Sequence, residues 1–490
     1  MLIKGAGVEE KHISIWCKII VEIRKNKLAT SLVTLMETLQ RARDGAPCTN
    51  REWETKVIPE TVKKYLKKYD LEHTFNKDEP VNQDLELADR YFEAALEMAE
   101  EIGILMVDTE SVIRFSREEI LEAVDRAPDH VRLGKDSDRI TIRARRPEDP
   151  VPPVFAGPLS IQVSEELYVP ITEGILRSPH VQVQEGPSID TVFGLPVYSG
   201  TPFETAVALQ ENRLRAEAQW RAGRPGIPNQ SIASSTTEYG QLGGFAGQTS
   251  PDNPAICLIL HPAELKIHYA SFHKAVVGMG YGGYIYSGSY AMIGGYSGGA
   301  EGATLTAIAT DLLQYPLMQC HFSAGTIYDI RFDSSCNRHS LWAMSVASQA
   351  ISRNTHVLFA KMINQTAGPG TSEILWNCAA GLICASASGM TYTVGPRSAG
   401  GRFKNYITPL ETWFCGQAFH AAAGISLEKA NEIVLYLLSK YEDRMKEMPK
   451  GQSFPECFDI RTLEPSPEWR RIYEQVCDDL ETRGLVLDRK

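Results

Sequence analysis

AICLILHPAELKIHYASFHKAVVGMGYGGYIYSGSYAMIGGYSGGAEG, residues 255–302, is the stretch from which the fold of this chain is predicted. Its first apolar run, Ala255–Leu260, has the length and residue types of a buried strand. A helical pattern follows from Ala263 to Val277, and an uncharged run rich in Gly and Tyr then continues to Ala300. The stretch therefore contains consecutive strand–helix units.

The stretch contains only two acids. Glu264 comes four residues after the strand, and Glu301 stands just before the next helical pattern. Carboxylates are seldom buried without a partner or a function. One reading is that both acids complement helix dipoles. The other, which we favour, is a polar site in which one acid donates a proton or both hold a cation.

The same alternation of strands and helices repeats over residues 151–425. Two helices have clear starts, Thr201-Pro202-Phe203-Glu204 and Thr408-Pro409-Leu410-Glu411, each with a capping Thr, then Pro, then Glu. Seven or eight such units favour a (β/α)₈ TIM barrel over an open sheet. In a barrel, the residues just after the strands face the site. The predicted strands are Val181–Val183, Ile189–Val192, Ile256–Leu260, Tyr284–Tyr286, Ile327–Ile330, His356–Phe359 and Met390–Val394, and the predicted strand-end residues are Glu264, Glu301, Arg331 and Gln365.

The rest of the chain divides into three further parts. Residues 1–31 form an N-terminal extension without a strong period, and residues 32–150 an α-rich N-terminal cap. Residues 426–490 are helical and charged, which predicts a C-terminal helical layer over the α/β barrel.

The composition restricts the partners. A net charge of −11 argues against a nucleic-acid partner, because phosphate binding requires a basic face. The uncharged runs 275–300 and 374–396 are rich in Gly, Ala and Ser, so we expect buried segments of an α/β core and no membrane contact. None of the ten cysteines forms a CxxC pair, which indicates reduced thiols in a cytoplasmic protein.

Two motifs point to cofactors only weakly. Gly278-Met279-Gly280-Tyr281-Gly282-Gly283 matches GxGxxG, but it ends a helix and leads into a strand, the reverse of a dinucleotide fingerprint. Glu264 and His268 would share a helix face, while adjacent Cys320 and His321 would point apart on a strand. Zinc stays an alternative that is not favoured.

Several stretches occur in an order that resembles the monomethylamine:corrinoid protein methyltransferase family of methanogens. The resemblance covers the chain from about Leu32 to the C-terminus. It is carried by Ala156-Gly157-Pro158 with Ser164-Glu165-Glu166, Ala222-Gly223-Arg224-Pro225-Gly226, Glu264-Leu265-Lys266-Ile267, Gly294-Gly295-Tyr296-Ser297-Gly298-Gly299-Ala300-Glu301, Ile330-Arg331-Phe332 with Asn337-Arg338, Asn364-Gln365 with Ala367-Gly368-Pro369, and Gly451-Gln452-Ser453-Phe454-Pro455-Glu456-Cys457-Phe458-Asp459.

The resemblance implies a TIM barrel whose cavity receives a methylated substrate. It also implies a separate corrinoid (cobalamin) protein that docks at the barrel mouth, and a homo-oligomer. The two Glu and one Gln of the family's polar cavity match Glu264, Glu301 and Gln365.

One departure from the family concerns its defining residue. Pyrrolysine stands just past the Gly-Arg-Pro-Gly turn, and counting on from Gly226 without a gap places Gln230 there. In the family, the imine of pyrrolysine is thought to capture the amine. A glutamine amide forms no such adduct, so the resemblance does not by itself assign monomethylamine as the substrate.

The leaving group then decides the reaction. A quaternary amine leaves well as a neutral amine, and two acids in a cavity of low dielectric constant would attract a cation. We therefore predict methyl transfer from a methylated amine, quaternary amines included, to the Co(I) of a corrinoid protein. Glu264, Glu301 and Gln365 are the predicted catalytic residues, and Gln230, Arg331 and Tyr296 the predicted substrate-binding residues. The alternatives are O-demethylation of a methoxylated aromatic and a non-catalytic ligand-binding barrel.

Overall fold

The computed structural model of the protein describes residues 27–231 and 237–489, with side chains from residue 31 onward. The predicted N-terminal extension, residues 1–31, therefore lies almost wholly outside the described residues. Within the described ranges, eight parallel strands each precede a helix. The strands are β1 Val154–Gly157, β2 Val183–Gln184, β3 Gln230–Ser231, β4 Ile256–Leu260, β5 Tyr284–Ile293, β6 Phe322–Asp329, β7 Leu358–Phe359 and β8 Tyr392–Val394. The helices are α1 Glu165–Leu176, α2 Pro202–Arg221, α3 Glu238–Gln248, α4 Tyr269–Gly280, α5 Ala300–Met318, α6 Arg338–Asn354, α7 Ser372–Ala387 and α8 Pro409–Ala421.

The eight strands close on themselves. β8 pairs with β1 and β1 with β2, while β3, β4, β5, β6 and β7 pair in that order. A bridge between Gln184 and Asn229 joins β2 to the start of β3, and a bridge between Ala360 and Tyr392 joins the end of β7 to β8. Every pairing in the ring is parallel, so the strands form the (β/α)₈ barrel that the alternation predicted.

Alternate residues of the strands fill the barrel. Val183, Leu258, Tyr286, Phe322 and Tyr392 belong to one buried interior cluster, as a period of two requires. The antiparallel hairpin His130–Leu133 and Ile140–Arg143 contributes to the same cluster, together with the first residues of β1 and β4. The hairpin thus closes the amino-terminal end of the barrel and leaves the carboxyl-terminal end for a site.

Close approach of β5 to β6 depends on one glycine. A Cβ at Gly288 would lie 2.1 Å from the carbonyl oxygen of Ala324, so a larger residue would push the two strands apart. The central part of the long uncharged segment is therefore a strand packed tightly into the barrel wall.

The segments before and after the barrel cover its helices. Helix Leu85–Ile102 packs on α5 and α6, helix Leu427–Tyr441 packs on α7, and helix Pro467–Thr482 contacts α7 and α8. α5 and α7 are buried almost all round, which explains why their sequences carry few charges. The described chain contains no helix long and apolar enough to cross a membrane. The further elements are helices Lys27–Asp44, Asn50–Glu52, Trp53–Val57, Ile58–Lys68, Arg117–Arg126, Asp136–Asp138, Ser398–Gly401, Glu442–Glu447 and Phe454–Cys457, and strands Ala46–Pro47, Ile104–Met106, Ser111–Ile113, Gln162–Val163, Ser188–Ile189, Thr191–Val192, Leu195–Pro196 and Lys266–Ile267.

The predicted helix starts are confirmed. Thr201 caps α2 by accepting a hydrogen bond from the backbone N–H of Phe203, and Thr408 caps α8 in a reciprocal pair with Glu411. In both helices Pro follows the cap, where its missing N–H costs nothing.

Several predicted boundaries were wrong. β3 is missing from the predicted strands, because its two polar residues give no alternation. β6 begins at Phe322 and not at Ile327, since its small residues hide the period. Ile189–Val192 forms short strands outside the barrel ring. The helix expected from Ala263 begins at Tyr269, because Lys266–Ile267 pairs as a strand with Leu105–Met106.

Candidate active site at the carboxyl-terminal end of the barrel

A cavity of about 340 Å³ lies where the barrel strands end. Its volume suits a small ligand. The wall is mainly apolar and aromatic and includes polar groups from β5, β6 and the segments after β1, β7 and β8. The lining residues are Leu159, Ser160, Leu258, Leu260, Tyr290, Met292, Tyr328, Met362, Asn364 and Arg397.

Gln230 on β3 faces the interior of the barrel. Its side chain is fully buried, and the phenol of Tyr392 on β8 donates a 2.6 Å hydrogen bond to its Oε1. The amide Nε2 of Gln230 has no hydrogen-bond partner among the described residues. A buried donor without a partner is costly, so this amide is ready to bind a water or a ligand.

Glu185, directly after β2, is a buried carboxyl group beside Gln230. Neither of its carboxyl oxygens has a hydrogen-bond partner in the part of the chain that the structure describes. Burial raises the pKa of Glu185 to about 8, although the Gln230 amide and the positive charge of Arg215 oppose the rise. The group is therefore mostly protonated at neutral pH and could donate a proton.

Tyrosines surround this polar pair. The ring of Tyr286 lies 6.1 Å from that of Tyr392, edge to face, and the ring of Tyr290 lies 5.8 Å from that of Tyr328. The Tyr286 hydroxyl is a further buried polar group without a partner in the described ranges. Faces of aromatic rings attract cations and pack against aryl groups equally well.

Arg397 brings a positive charge to the cavity wall. Its backbone N–H donates to Oε1 of Gln365 at 2.8 Å, and its Nη1 lies 3.5 Å from Oδ1 of Asn364. Burial raises the pKa of Tyr290, the charge of Arg397 opposes that rise, and the charge of Glu185 adds to it. Tyr290 thus lies within electrostatic range of both charged groups.

Glu264 is buried at the carboxyl-terminal face but does not line the cavity. Its two oxygens accept hydrogen bonds from the backbone N–H groups of Met292, at 2.5 Å, and Ser297, at 3.0 Å. Burial raises its pKa, and these backbone donors oppose the rise. Since Met292 lines the cavity, Glu264 positions part of the wall. His268 caps α4, so the two side chains do not share a helix face as predicted.

The other predicted residues lie around the cavity. Glu301, in the first turn of α5, accepts a 3.4 Å hydrogen bond from the backbone N–H of Phe75. Tyr296 is exposed beside Glu54, and Arg331 forms a two-point ion pair with Asp329, at 2.9 and 2.6 Å. Gln365 is buried and has one amide nitrogen without a partner in the described chain. The structure therefore brings Gln230 into the barrel interior and Gln365 against Arg397, and leaves the remaining residues behind or beside the wall.

Sequence reasoning missed Glu185, Arg397 and Tyr392. The first two were accessible by the argument applied to Glu264, because each comes just after a segment predicted as a strand. Glu185 ends the alternating run from Val181, and Arg397 follows Gly395-Pro396 after β8. Tyr392 had no distinguishing signal, because an inward-facing strand tyrosine is ordinarily core.

The described residues include no cluster of three or more His, Cys, Asp and Glu side chains that could hold a metal ion. Every cysteine in the described ranges is a buried free thiol. The polar groups of the barrel interior are a carboxyl, amides and phenols, which suit hydrogen bonding and proton transfer to an organic substrate.

Comparisons with known proteins agree over nearly the whole chain. The family model described as monomethylamine methyltransferase MtmB matches residues 33–485. Monomethylamine methyltransferase MtmB of Methanosarcina mazei is 28% identical over 449 residues, which cover 91% of this chain and 97% of that protein. MtmB1 of Methanosarcina acetivorans has the same identity and coverage.

Solved structures show the same similarity. The crystal structure of the Methanosarcina barkeri monomethylamine methyltransferase superposes with a TM-score of 0.88 at 27% identity, covering 92% of this chain and 98% of that one. The crystal structure of a hydroxylamine complex of MtmB matches with the same values.

Proposed function

The chain belongs to the monomethylamine methyltransferase MtmB family, and from that premise we propose that it transfers a methyl group from a methylated amine to the Co(I) of a corrinoid protein. The bond between nitrogen and the methyl carbon breaks, and its electron pair stays on nitrogen. Co(I), the methyl acceptor, supplies the electron pair of the new bond to carbon and becomes Co(III). A quaternary amine leaves as a neutral amine without any proton transfer.

The observation that carries this proposal is the position of Gln230. It lies in the barrel interior, where the resemblance places pyrrolysine, and its amide nitrogen has no partner in the described chain. An amide orients a substrate by hydrogen bonding but does not capture an amine covalently. The substrate must therefore carry a good leaving group itself, which favours quaternary amines over monomethylamine.

The remaining roles follow from the contacts. Tyr286, Tyr290 and Tyr392 surround the methyl donor with ring faces and edges, and the carboxyl of Glu185 meets the donor or its leaving group. We assign Glu264 and Gln365 to positioning, because they hold Met292 and Arg397 of the cavity wall. Glu301, Arg331 and Tyr296 lie at the carboxyl-terminal face, where we propose that the cognate corrinoid protein docks.

One observation favours the second candidate, O-demethylation of a methoxylated aromatic. Burial raises the pKa of Glu185 to about 8, which favours its neutral form at neutral pH. A neutral acid can protonate a departing phenolate oxygen, and such general acid catalysis contributes about 10²–10⁴-fold in rate.

A methyl-donor screen with a reduced corrinoid protein tests these proposals. The panel contains methylamines, quaternary amines and methoxybenzoates, and loss of the Co(I) absorbance reports transfer. Turnover with amines supports the first proposal, and turnover with methoxybenzoates alone supports the second. No change with any donor would favour a non-catalytic barrel.

Matched variants connect the result to the site. Glu185→Gln should slow transfer from methoxybenzoates most, because only those donors need a proton on the leaving group. Glu428→Gln, an exposed acid of helix Leu427–Tyr441, is the control and should behave as the wild type. Size-exclusion chromatography tests the proposed homo-oligomer.

A further inference from the structure

The charge of the cavity wall does not suit a simple alkylammonium ion. Arg397 is the one charged side chain that lines the cavity in the part of the chain that the structure describes. A methylammonium or tetramethylammonium ion would bring a second positive charge into the same partly enclosed, mainly apolar space. Like charges repel most strongly where water is excluded.

Arg397 is held in place without being neutralised. Its backbone N–H is bonded to Gln365, its Nη1 lies near the neutral side chain of Asn364, and it forms no ion pair within the described ranges. The cations that follow two other barrel strands form ion pairs. Arg331, after β6, pairs with Asp329, and Lys361, after β7, pairs with Asp311. Of these three strand-end cations, Arg397 alone has no ion pair within the described ranges.

The turn that follows leaves room for the guanidinium. Gly401 has a φ of +67°, and a Cβ there would lie 2.9 Å from Nε of Arg397. A side chain at this position would displace the guanidinium from the wall, so the local backbone permits the arginine to reach the cavity.

We infer that the methyl donor also carries a carboxylate, which Arg397 binds at the cavity wall. A guanidinium matches a carboxylate with two parallel hydrogen bonds and neutralises it in a partly buried site. The inference rests on the proposed methyl transfer and names its substrate class. Two donor types share this chemistry: N-methylated amino acids, such as betaines, and methoxybenzoates.

Tyr290 indicates how such a donor is oriented. It lines the cavity within electrostatic range of the guanidinium of Arg397 and of the carboxyl group of Glu185. With the carboxylate on Arg397, the methyl-bearing end of the donor lies beside Tyr290 and Tyr328, toward the side of Glu185. One binding mode then neutralises the guanidinium and surrounds the methyl group with aromatic rings.

Calorimetric titration of the full chain without a corrinoid protein tests the inference. Two ligand pairs differ by the carboxylate: glycine betaine against choline, and para-methoxybenzoate against methoxybenzene. We expect the carboxylated member of at least one pair to bind 10-fold or more tightly than its partner. Which pair shows the difference identifies the donor type. Equal binding within both pairs, or failure of both carboxylated ligands to bind, overturns the inference.

Variants of the arginine complete the test. Arg397→Gln should weaken binding of the carboxylated ligand by about 10- to 100-fold, and Arg397→Lys should recover part of it, since the charge remains but the two-point geometry is lost. Arg402→Gln, an exposed arginine nearby, is the control and should bind as the wild type. Circular dichroism verifies that each variant folds. Wild-type affinity in Arg397→Gln overturns the inference.

The two proposals fail separately. A carboxylated ligand that binds through Arg397 but never methylates Co(I) removes the proposed methyl transfer and leaves the carboxylate site. Methyl transfer from amines without a carboxylate, at rates equal to those of betaines, removes the proposed carboxylate site and leaves the proposed methyl transfer.

Discussion

The phenol of Tyr392 on β8 donates a 2.6 Å hydrogen bond to Gln230 on β3, across the interior of the barrel. The two strands are not neighbours in the ring, so the bond spans the space inside it. It fixes the amide oxygen of Gln230 and leaves the amide nitrogen beside Glu185. The orientation of the substrate-facing amide therefore depends on a tyrosine that is distant in sequence.

Tyr392→Phe should lower both stability and methyl transfer. It leaves a buried amide oxygen unpaired, which costs about 1–3 kcal/mol, and it allows the amide to rotate. Urea unfolding and the cobalt assay measure the two effects. Tyr286→Phe is the matched control for stability, because that buried hydroxyl has no partner in the described chain and its removal should change the free energy of unfolding little. Equal losses in both variants would contradict the assigned role of Tyr392.

Glu185 should make the stability of the protein fall as pH rises. Its folded-state pKa of about 8 exceeds its ordinary value of 4.5, so the folded state binds the proton more tightly. This stabilisation is complete below the ordinary value and is lost as pH rises toward the folded one. Glu185→Gln should thus gain stability relative to the wild type across that interval, on the order of a few kcal/mol.

Urea unfolding of both proteins at a series of pH values tests this dependence. Other buried acids, such as Glu411, are unchanged by the substitution, so the difference between the two proteins isolates Glu185. A difference that does not vary with pH would show that Glu185 titrates normally in the folded protein.

Glu264→Gln and Glu301→Gln should have unequal effects. Glu264 accepts two backbone hydrogen bonds in a buried position, whereas the bond from Phe75 to the half-buried Glu301 is long. A glutamine at 264 can accept only one of the two hydrogen bonds, so we expect the free energy of unfolding to fall by about 2–3 kcal/mol. We also expect a raised KM, because Met292 of the cavity wall moves. Glu301→Gln should lower the free energy of unfolding by under about 1 kcal/mol. If Glu301→Gln leaves turnover unchanged, the catalytic role predicted for it is abandoned.

More of the fold than of the site was predictable from the sequence. β4 has the bounds that its apolar run indicated, because a short run of Ile, Leu and Cys favours a buried strand. β3 was not predictable, since Gln230 and Ser231 owe their strand conformation to neighbouring strands and not to their own propensities.

The different roles of Glu264 and Glu185 were not predictable for another reason. Glu264 and Glu185 both follow strands, and the sequence shows no difference between them. The difference is made by the end of β5 and the loop after it, where the backbone N–H groups of Met292 and Ser297 point at Glu264. No backbone donor does the same for Glu185 within the described residues. Positions of backbone groups depend on tertiary packing. Glu264 therefore accepts two backbone hydrogen bonds, whereas Glu185 is a carboxyl group without a partner in the described chain.

Lys361→Met should destabilise the barrel strongly. Lys361 follows β7 and is fully buried, and its ammonium donates to Oδ2 of Asp311 on α5 at 2.8 Å and to the carbonyl of Gly325 at 2.7 Å. Removal of the lysine leaves the buried carboxylate of Asp311 without its ion-pair partner, which costs about 3–5 kcal/mol of stability. Lys429→Met, which breaks an exposed pair with Glu432, should cost under about 1 kcal/mol.

The double variant Lys361→Met with Asp311→Leu separates charge from packing. It leaves no buried charge, so part of the stability should return, although the N–H of Gly325 then loses its bond to Asp311. Urea unfolding of the wild type, Lys361→Met, Asp311→Leu and the double variant gives the coupling energy. If the double variant is less stable than Lys361→Met, the carboxylate of Asp311 stabilises the barrel even without its lysine partner. The electrostatic account of this interface between the barrel strands and α5 would then be wrong.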